Sequence, residues 1–435
     1  MRFLGVTETC DLGSLYLRLQ REGHEVRVAV SEPLAQGTLA NMVPRTEDWR
    51  GELDWVREAG EDGIILFEAV SEGLGAIQDS LRGEGFNVIG GSAFGDRLKN
   101  DRAFALDLLA GLGFSQGHVR EFSDGDEADA FLAANPGRWV IKYSGPGFAS
   151  SDTYVGRLAD GADVRAMLAA RLADRDLDGA TFILMRHIEG IEMGVGAYFD
   201  GTRFLRPACL DWEHKYFFAG ELGELTGEMG TVATYDRSSR FFGLTLRKLE
   251  PLLREAGHVG YVNLNTIVNE AGIWPLEFTS RFGYPGYAVL ESLQATPWGA
   301  LLAMMARGEG GVFETVSGFT VGIVLTTPPF PYSRKQVDER VGLPIFLPEP
   351  LSPEDERNIH PGEVGFGGRR LVTSGLYGWT MVVTGVAASI AEACDQAYAR
   401  IGRIFVPHGR YRLDIGESLT SSGWIRLEAM DLLDR

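Results

Sequence analysis

Along its first ninety residues the chain alternates short apolar runs with amphipathic stretches, and this alternation narrows the possible folds more than any other feature. Strands are predicted at Phe3–Val6, Val26–Val30, Ile64–Phe67 and Asn87–Ile89, with helices around Leu12–Arg21, Trp49–Ala59 and Leu74–Gly83 between them. Such a pattern builds a parallel sheet covered by helices, because parallel neighbours need a crossover connection. The loop after the first strand then lies at the carboxyl edge of the sheet, where open α/β domains bind ligands.

A helical stretch follows at Arg97–Leu112, and then β-rich sequence. Trp139–Tyr143 reads as a strand entering the small-residue loop Ser144–Asp152, and another strand begins near Thr153. A helix is predicted around Asp163–Ala173, then strands at Thr181–Ile188 and Met193–Phe199 joined by Glu189-Gly190, and an amphipathic helix over Ser238–Ala256. A third region begins near residue 311, with a strand at Thr320–Thr326, a loop holding seven prolines between Pro328 and Pro353, strands near Arg370–Leu376 and Met381–Val386, and a helix over Ile390–Ile404. A length of 435 residues suits two to four domains, divided here as 1–96, 97–310 and 311–435.

Composition excludes several classes of partner. A formal charge of −19 argues against an extended nucleic-acid or anionic-membrane surface, which would select basic patches. Cys10, Cys209 and Cys394 lie far apart without metal-ligand spacing, as expected of reduced thiols in a cytoplasmic protein. No apolar run has the length of a signal peptide core or a membrane span.

The segment Gly260–Gly283 carries the chemistry. It reads as two adjacent strands, with Asn263 and Asn265 on one face of the first and Glu277, Thr279 and Arg281 on one face of the second, because strand side chains alternate. A carboxylate with neighbouring amide oxygens suits Mg²⁺, a hard cation usually shared with phosphates. The planar fork of an arginine suits a phosphate or a carboxylate. The combination points to an enzyme that handles ATP.

Other segments are ambiguous taken singly. Lys142 ends a strand before Gly145-Pro-Gly147-Phe-Ala-Ser150-Ser151, which is either a phosphate-cradling loop or a plain hairpin turn with a solvated lysine. Phe182–Ile188, followed by Glu189-Gly190 and Glu192, is either a nucleotide-binding edge or a surface hairpin with an acidic turn. Asp211–Tyr216 with the Gly-rich stretch Gly223–Gly230 is either an active-site loop or an exposed connector. His214 has no second histidine at zinc spacing, and His24, His258 and His408 read as structural. No Walker A sequence, nucleophile elbow or Cys-x-x-Cys pair occurs.

Taken in order, these pieces resemble phosphoribosylamine–glycine ligase (glycinamide ribonucleotide synthetase), a family of the ATP-grasp superfamily, from about residue 64 to residue 416. Leu66-Phe-Glu68-Ala-Val-Ser is similar to its Gly-Pro-Glu-x-Pro-Leu segment, and Arg102-Ala-Phe-Ala to its Ser-Lys-x-Phe helix. Ile188-Glu-Gly190-Ile-Glu192 resembles its Leu-x-Gly-x-Glu hinge, Glu213-His-Lys215-Tyr its Asp-His-Lys-Arg, and Thr226-Gly-Glu-Met-Gly230 its Thr-Gly-Gly-Met-Gly. Leu276-Glu277-Phe-Thr-Ser-Arg281-Phe-Gly283 resembles Leu-Glu-Phe-Asn-x-Arg-Phe-Gly, and Tyr411-Arg412-Leu-Asp414-Ile-Gly416 its Tyr-Arg-x-Asp-Ile-Gly terminus.

The resemblance implies an α/β protein with an N-terminal parallel-sheet domain, a central ATP-grasp α+β domain whose small lid spans about 115–188, and a C-terminal mixed α/β domain. It implies an enzyme that joins a small carboxylate to a small amine through an acyl phosphate, releasing ADP and phosphate. ATP would be bound by Arg102, Lys142, Gly145, Gly147, Ser150, Ser151, Met185, His187 and Glu192. Mg²⁺, or Mn²⁺ in its place, would be held by Glu277 with Asn263, Asn265 or Thr279. Arg281 and Lys215 would act on the reacting groups. A monomer or homodimer is expected.

The sequence departs from the family at its first loop, Gly5–Gly13, and at Ser150-Ser151 in place of a lid lysine. It departs again at Asp101-Arg102, at Thr279 in place of asparagine, and at Tyr284-Pro285-Gly286 in place of Asp-Pro-Glu. The first and last fall where the two substrates would bind, so an altered substrate pair is expected. The alternatives are a divergent phosphoribosylamine–glycine ligase and a nucleotide-binding protein without catalysis.

Overall fold

The computed structural model describes residues 1–69, 73–144, 153–173 and 181–434. The loop residues Gly145, Gly147, Ser150 and Ser151 lie outside them.

The N-terminal sheet contains β1 (Arg2–Thr7), β2 (Glu25–Val30), β3 (Arg45–Thr46), β4 (Gly63–Phe67) and β5 (Asn87–Ile89), all parallel, in the order β3-β2-β1-β4-β5. Interior strand β4 is buried along its whole length, as a parallel strand covered on both faces requires. Helices α1 (Gly13–Arg21), α2 (Leu53–Glu58) and α3 (Leu74–Gly83) make the crossovers. Gly5 has a packing reason, since a Cβ there would lie 2.5 Å from the Tyr16 ring.

The single helix expected over Arg97–Leu112 is two, α4 (Ala93–Asn100) and α5 (Arg102–Gly111). Asp101 divides them: its backbone is extended and its carboxylate accepts from Phe104 N at 3.0 Å, capping the second helix. The helix expected over Ser238–Ala256 is likewise three short pieces, with Pro251 opening the last one, Glu250–Glu255, because proline cannot sit in a helix interior.

A small antiparallel sheet follows, made of β6 (Val119–Phe122), β7 (Trp139–Ser144), β8 (Tyr154–Val155) and β9 (Thr181–Arg186) in the order β6-β9-β7-β8. It encloses its own core, including Phe122, Leu132, Trp139, Leu168 and Phe182.

The remaining strands are β10 (Ile191–Asp200), β11 (Cys209–Phe218), β12 (Leu222–Thr234), β13 (Val259–Asn269), β14 (Gly272–Thr279), β15 (Phe319–Thr326), β16 (Ile359–Pro361), β17 (Val364–Gly367), β18 (Arg370–Thr373) and β19 (Trp379–Ala387). Strands β17 and β18 pair with each other. The others form an eight-stranded antiparallel sheet in the order β14-β13-β10-β11-β12-β15-β19-β16. The division expected at residue 311 therefore falls inside one sheet, because β15 completes the hydrogen bonds of β12. Among the described residues, no helix is long and apolar enough to cross a membrane.

Candidate active site

Strands β13 and β14 pair so that Asn263 faces Thr279 and Asn265 faces Glu277. All four expected metal ligands thus meet as two cross-strand pairs. On the other side of β13, Gly194 and Gly196 of β10 stand opposite Asn265 and Asn263. A Cβ on Gly194 would come within 2.1 Å of Asp211 Oδ1. The bare glycine lets Asp211, on β11, reach across β10 and accept from Asn263 Nδ2 at 2.6 Å.

Glu277 is the centre of a charged cluster. Its two oxygens are shared between Lys99 Nζ at 3.0 Å and Lys215 Nζ at 3.4 Å. Burial alone would raise its carboxyl, but Lys99, Lys215 and Lys142 together hold it well below the usual carboxylate range. Lys215 also meets Glu192 at 3.0 Å and Glu213 at 3.2 Å, and these three carboxylates outweigh its burial and keep it charged.

Lys142 and Arg102 answer to the same field. Burial pushes the Lys142 ammonium down to about 8, with Arg102 and Lys215 adding to the effect and Glu277 and Glu192 opposing it. Burial likewise lowers Arg102, with Glu277 opposing, and its Nη1 is buried without a partner among the described residues. Each cation here is poorly compensated by protein alone. An anionic ligand would supply what is missing.

The remaining expected residues occupy the margins. Glu192 accepts from Asn265 Nδ2 at 2.6 Å as well as meeting Lys215. Met185 is buried in β9 between Val119 and Val140. His187 follows β9; its N–H donates to Arg138 O at 3.0 Å, and its buried Nδ1 has no partner among the described residues. Arg281 lies beyond the end of β14, where Nη1 donates to Phe282 O at 2.9 Å, and it makes no ion pair among the described residues.

One correction applies to the stretch 211–230. It is neither loop nor connector but the long hairpin β11–β12, with a register shift between His214 and Tyr216. His214 turns to the opposite face from Glu213 and accepts from Gly416 N at 3.1 Å, pinning the C-terminal segment.

The sequence reading missed three groups: Lys99, Asp211 and Glu228. Lys99 left a faint signal, a cation three residues before Arg102. Asp211 shares a strand face with Glu213 and Lys215. Glu228 depends on the β12 irregularity, which single-sequence alternation does not reveal.

No protein-family model matches the chain. A phosphoribosylamine–glycine ligase of Rhizobium meliloti is 26% identical over 383 residues, covering 85% of this chain and 87% of that one. One from Mesorhizobium japonicum is 28% identical over 351 residues, covering 79% and 80%. The solved phosphoribosylamine–glycine ligase of Thermotoga maritima superposes with a TM-score of 0.71 at 20% identity, covering 95% of this chain and all (100%) of the other. The fold is that of the ATP-grasp enzymes. A biotin carboxylase domain dimer of Hydrogenobacter thermophilus 2-oxoglutarate carboxylase, solved with MgADP, ADP and bicarbonate, shares it with a TM-score of 0.64 at 12% identity, covering 94% and 91%.

In this ATP-grasp frame the donor set suits a hard cation, since Glu277, Asn263, Asn265 and Thr279 offer only oxygen. Asn265 Oδ1 is buried and unpartnered among the described residues. Among those residues no three acidic, histidine or cysteine side chains gather closely enough to hold a metal unaided.

Proposed function

We propose that the protein is an ATP-dependent carboxylate–amine ligase that works through an acyl phosphate. The observation that carries this reading is the cluster in which Glu277 stays ionised among Lys99, Lys215 and Lys142, drawn from α4, β11 and β7. Phosphoryl transfer asks a protein mainly for positioning and neutralised charge. Lys142, Arg102 and Lys99 would neutralise phosphate oxygens, and Glu192 would accept from the ribose hydroxyls. Glu277 with Asn265 or Asn263 would hold Mg²⁺, which when bound supplies charge neutralisation between the phosphates. Arg281 would grip the carboxylate substrate, and the lid sheet would exclude water from the acyl phosphate. The amine then forms the C–N bond as the C–O bond to phosphate breaks.

An altered substrate pair is favoured by the departures at Gly5–Gly13 and at Tyr284. The first loop closes over Glu68, a position shared with the family, which is buried and accepts from Thr7 Oγ1 at 2.7 Å, Leu12 N at 3.2 Å and Tyr16. Burial, then Asp11, raises its carboxyl to about 7. Tyr284 stacks on Trp379 with centroids 5.0 Å apart, giving an aromatic wall at the position of a family acid. The second reading, activity on glycine and phosphoribosylamine themselves, is favoured by the extent of similarity to ligases of that name.

The test is ADP release with Mg²⁺-ATP, hydroxylamine and a panel of small carboxylic acids that includes glycine. Acid-dependent ADP with a matching hydroxamate is the expected result. No acid raising ADP above background would refute the ligase reading. Product from glycine and phosphoribosylamine would select the second.

A further inference from the structure

Beyond Glu277, the large sheet carries two further carboxylates, Asp211 and Glu228, that form no ion pair with the ATP-handling cluster among the described residues. Asp211 and Glu213 share a face of β11, and Thr231 stands opposite Glu213 on β12. The irregularity in β12 brings Glu228 into the electrostatic field of Asp211, Glu213 and Lys215. Bulges beside active sites commonly re-aim a side chain in this way.

The polar atoms in this basin are short of partners. Glu228 and Asp211 are each 7% exposed, and Glu228 Oε1 and Asp211 Oδ1 have no hydrogen-bond partner among the described residues. Thr231, at 4% exposure, has an unpartnered Oγ1 as well. Lys215 is already divided among Glu192, Glu213 and Glu277. No other cation forms an ion pair with Asp211 or Glu228 among the described residues. Buried acceptors left unsatisfied are costly, so a native site of this kind is completed by a ligand that donates.

We propose that the basin formed by Asp211, Glu228 and Thr231 seats the amine substrate, and that this amine arrives as an ammonium ion and gives one proton to the Glu228 carboxylate before its nitrogen attacks. An ammonium group offers donors and a positive charge, the complement of unpartnered carboxylate and hydroxyl oxygens. Burial and then Glu213 and Asp211 raise the Glu228 carboxyl well above its usual range, the strain expected of an acid waiting for a counter-ion. The inference rests on the ligase reading and deepens it, by naming the chemical class of the second substrate.

The experiment compares two nucleophiles in wild type, Glu228→Gln, Asp211→Asn and Thr231→Val. Hydroxylamine is mostly uncharged at neutral pH, whereas 1,3-diaminopropane carries an ammonium group at each end. With whichever acid gives hydroxamate, the ratio of diamine coupling to hydroxamate formation should fall about tenfold or more in Glu228→Gln, mostly through KM. An unchanged ratio would overturn the proposal. Wild type giving no hydroxamate from any acid would instead refute the ligase reading.

A second measurement does not depend on the acid. Calorimetric titration of 1,3-diaminopropane into the Mg²⁺-ATP-loaded full chain should show binding that weakens about tenfold in Glu228→Gln and in Asp211→Asn. Thr231→Val, which leaves the charges in place, checks the site if either acid variant fails to fold and should weaken binding by a smaller factor. Undetectable binding to wild type, or equal binding to wild type and all folded variants, overturns the proposal.

Discussion

Lys99 and Glu277, 178 residues apart in sequence, form a 3.0 Å ion pair that ties α4 to the edge strand of the large sheet. Lys215 approaches the other oxygen of the same carboxylate, so each Glu277 oxygen has its own cation. Replacing Glu277 with glutamine leaves four cations around a neutral amide. Acid-dependent ADP release should fall about a hundredfold or more, the scale seen when a preorganised charge partner is removed. Lys99→Met leaves Lys215 in place and should cost about tenfold. Steady-state kinetics separate the two, and equal losses would show that the pair only holds the fold.

Lys142 makes opposite demands on binding and stability. Its folded value near 8 lies below the unfolded 10.5, so between those pH values the unfolded chain binds more protons and stability rises with pH. Below pH 8 the full cost of a buried charge is present, on the order of 1–3 kcal/mol. Lys142→Met should therefore raise the urea midpoint at pH 7 while sharply weakening ATP binding. In wild type the KM for ATP should climb as pH passes about 8, and Lys142→Arg should abolish that climb. A less stable Lys142→Met protein would contradict the assigned burial cost.

Much of this arrangement was legible in the sequence, for reasons tied to local pattern. The α3 helix at Leu74–Gly83 and the β5 strand at Asn87–Ile89 match their expected bounds, because each is a short periodic run closed by turn residues. Strand alternation placed Asn263 with Asn265, and Glu277 with Thr279, each pair on one face of its strand; their cross-strand register, and the position of Arg281 beyond the end of β14, were not legible. Two kinds of feature stayed hidden. Lys99 pairs with a residue far away in the chain, which no local rule anticipates. The Gly223–Gly230 stretch looked like a loop because glycine is rare in strands. Here glycine is used for close approach: a Cβ on Gly230 would lie 2.6 Å from Gly322 O. The sheet continuing past residue 311 was hidden likewise, since pairing between β12 and β15 leaves no mark on either strand alone.

Two buried histidines each take stability away as the protein is acidified. Burial, then Arg82, lowers His258 to about 3, and its Nδ1 meets Ser92 Oγ at 2.9 Å. Burial, then Arg412, with Asp414 opposing, lowers His214 to about 4. Both fold as neutral rings, so their contribution is complete above the unfolded value of 6.5 and is lost as pH falls toward 4 and then 3. Each proton taken up on unfolding makes stability fall by about 1.4 kcal/mol per pH unit in that window. Between pH 6.5 and 4.5 the urea midpoint of wild type should therefore lose more, or gain less, on acidification than that of His258→Gln, by about one proton. An equal change in the two proteins would mean that His258 is protonated in the native state.

Gly194 offers the sharpest test of how the sheet makes room for chemistry. A methyl group there would stand 2.1 Å from Asp211 Oδ1 and 2.7 Å from its Cγ, closer than any real contact. The carboxylate would have to swing away, losing its 2.6 Å bond from Asn263 Nδ2. With the amide released and a buried acid displaced, Gly194→Ala should cost roughly 1–3 kcal/mol, the range for overpacking a tight interior. Gly243 is the matched control, because nothing lies within 4 Å of a Cβ built there and the residue is helical. Alanine suits a helix better than glycine, so Gly243→Ala should be neutral or stabilising by up to about 1 kcal/mol. Urea denaturation of both variants measures the contrast. If Gly194→Ala matched Gly243→Ala in stability, Asp211 would not reach across β10, and the face carrying Asn263 would need another explanation.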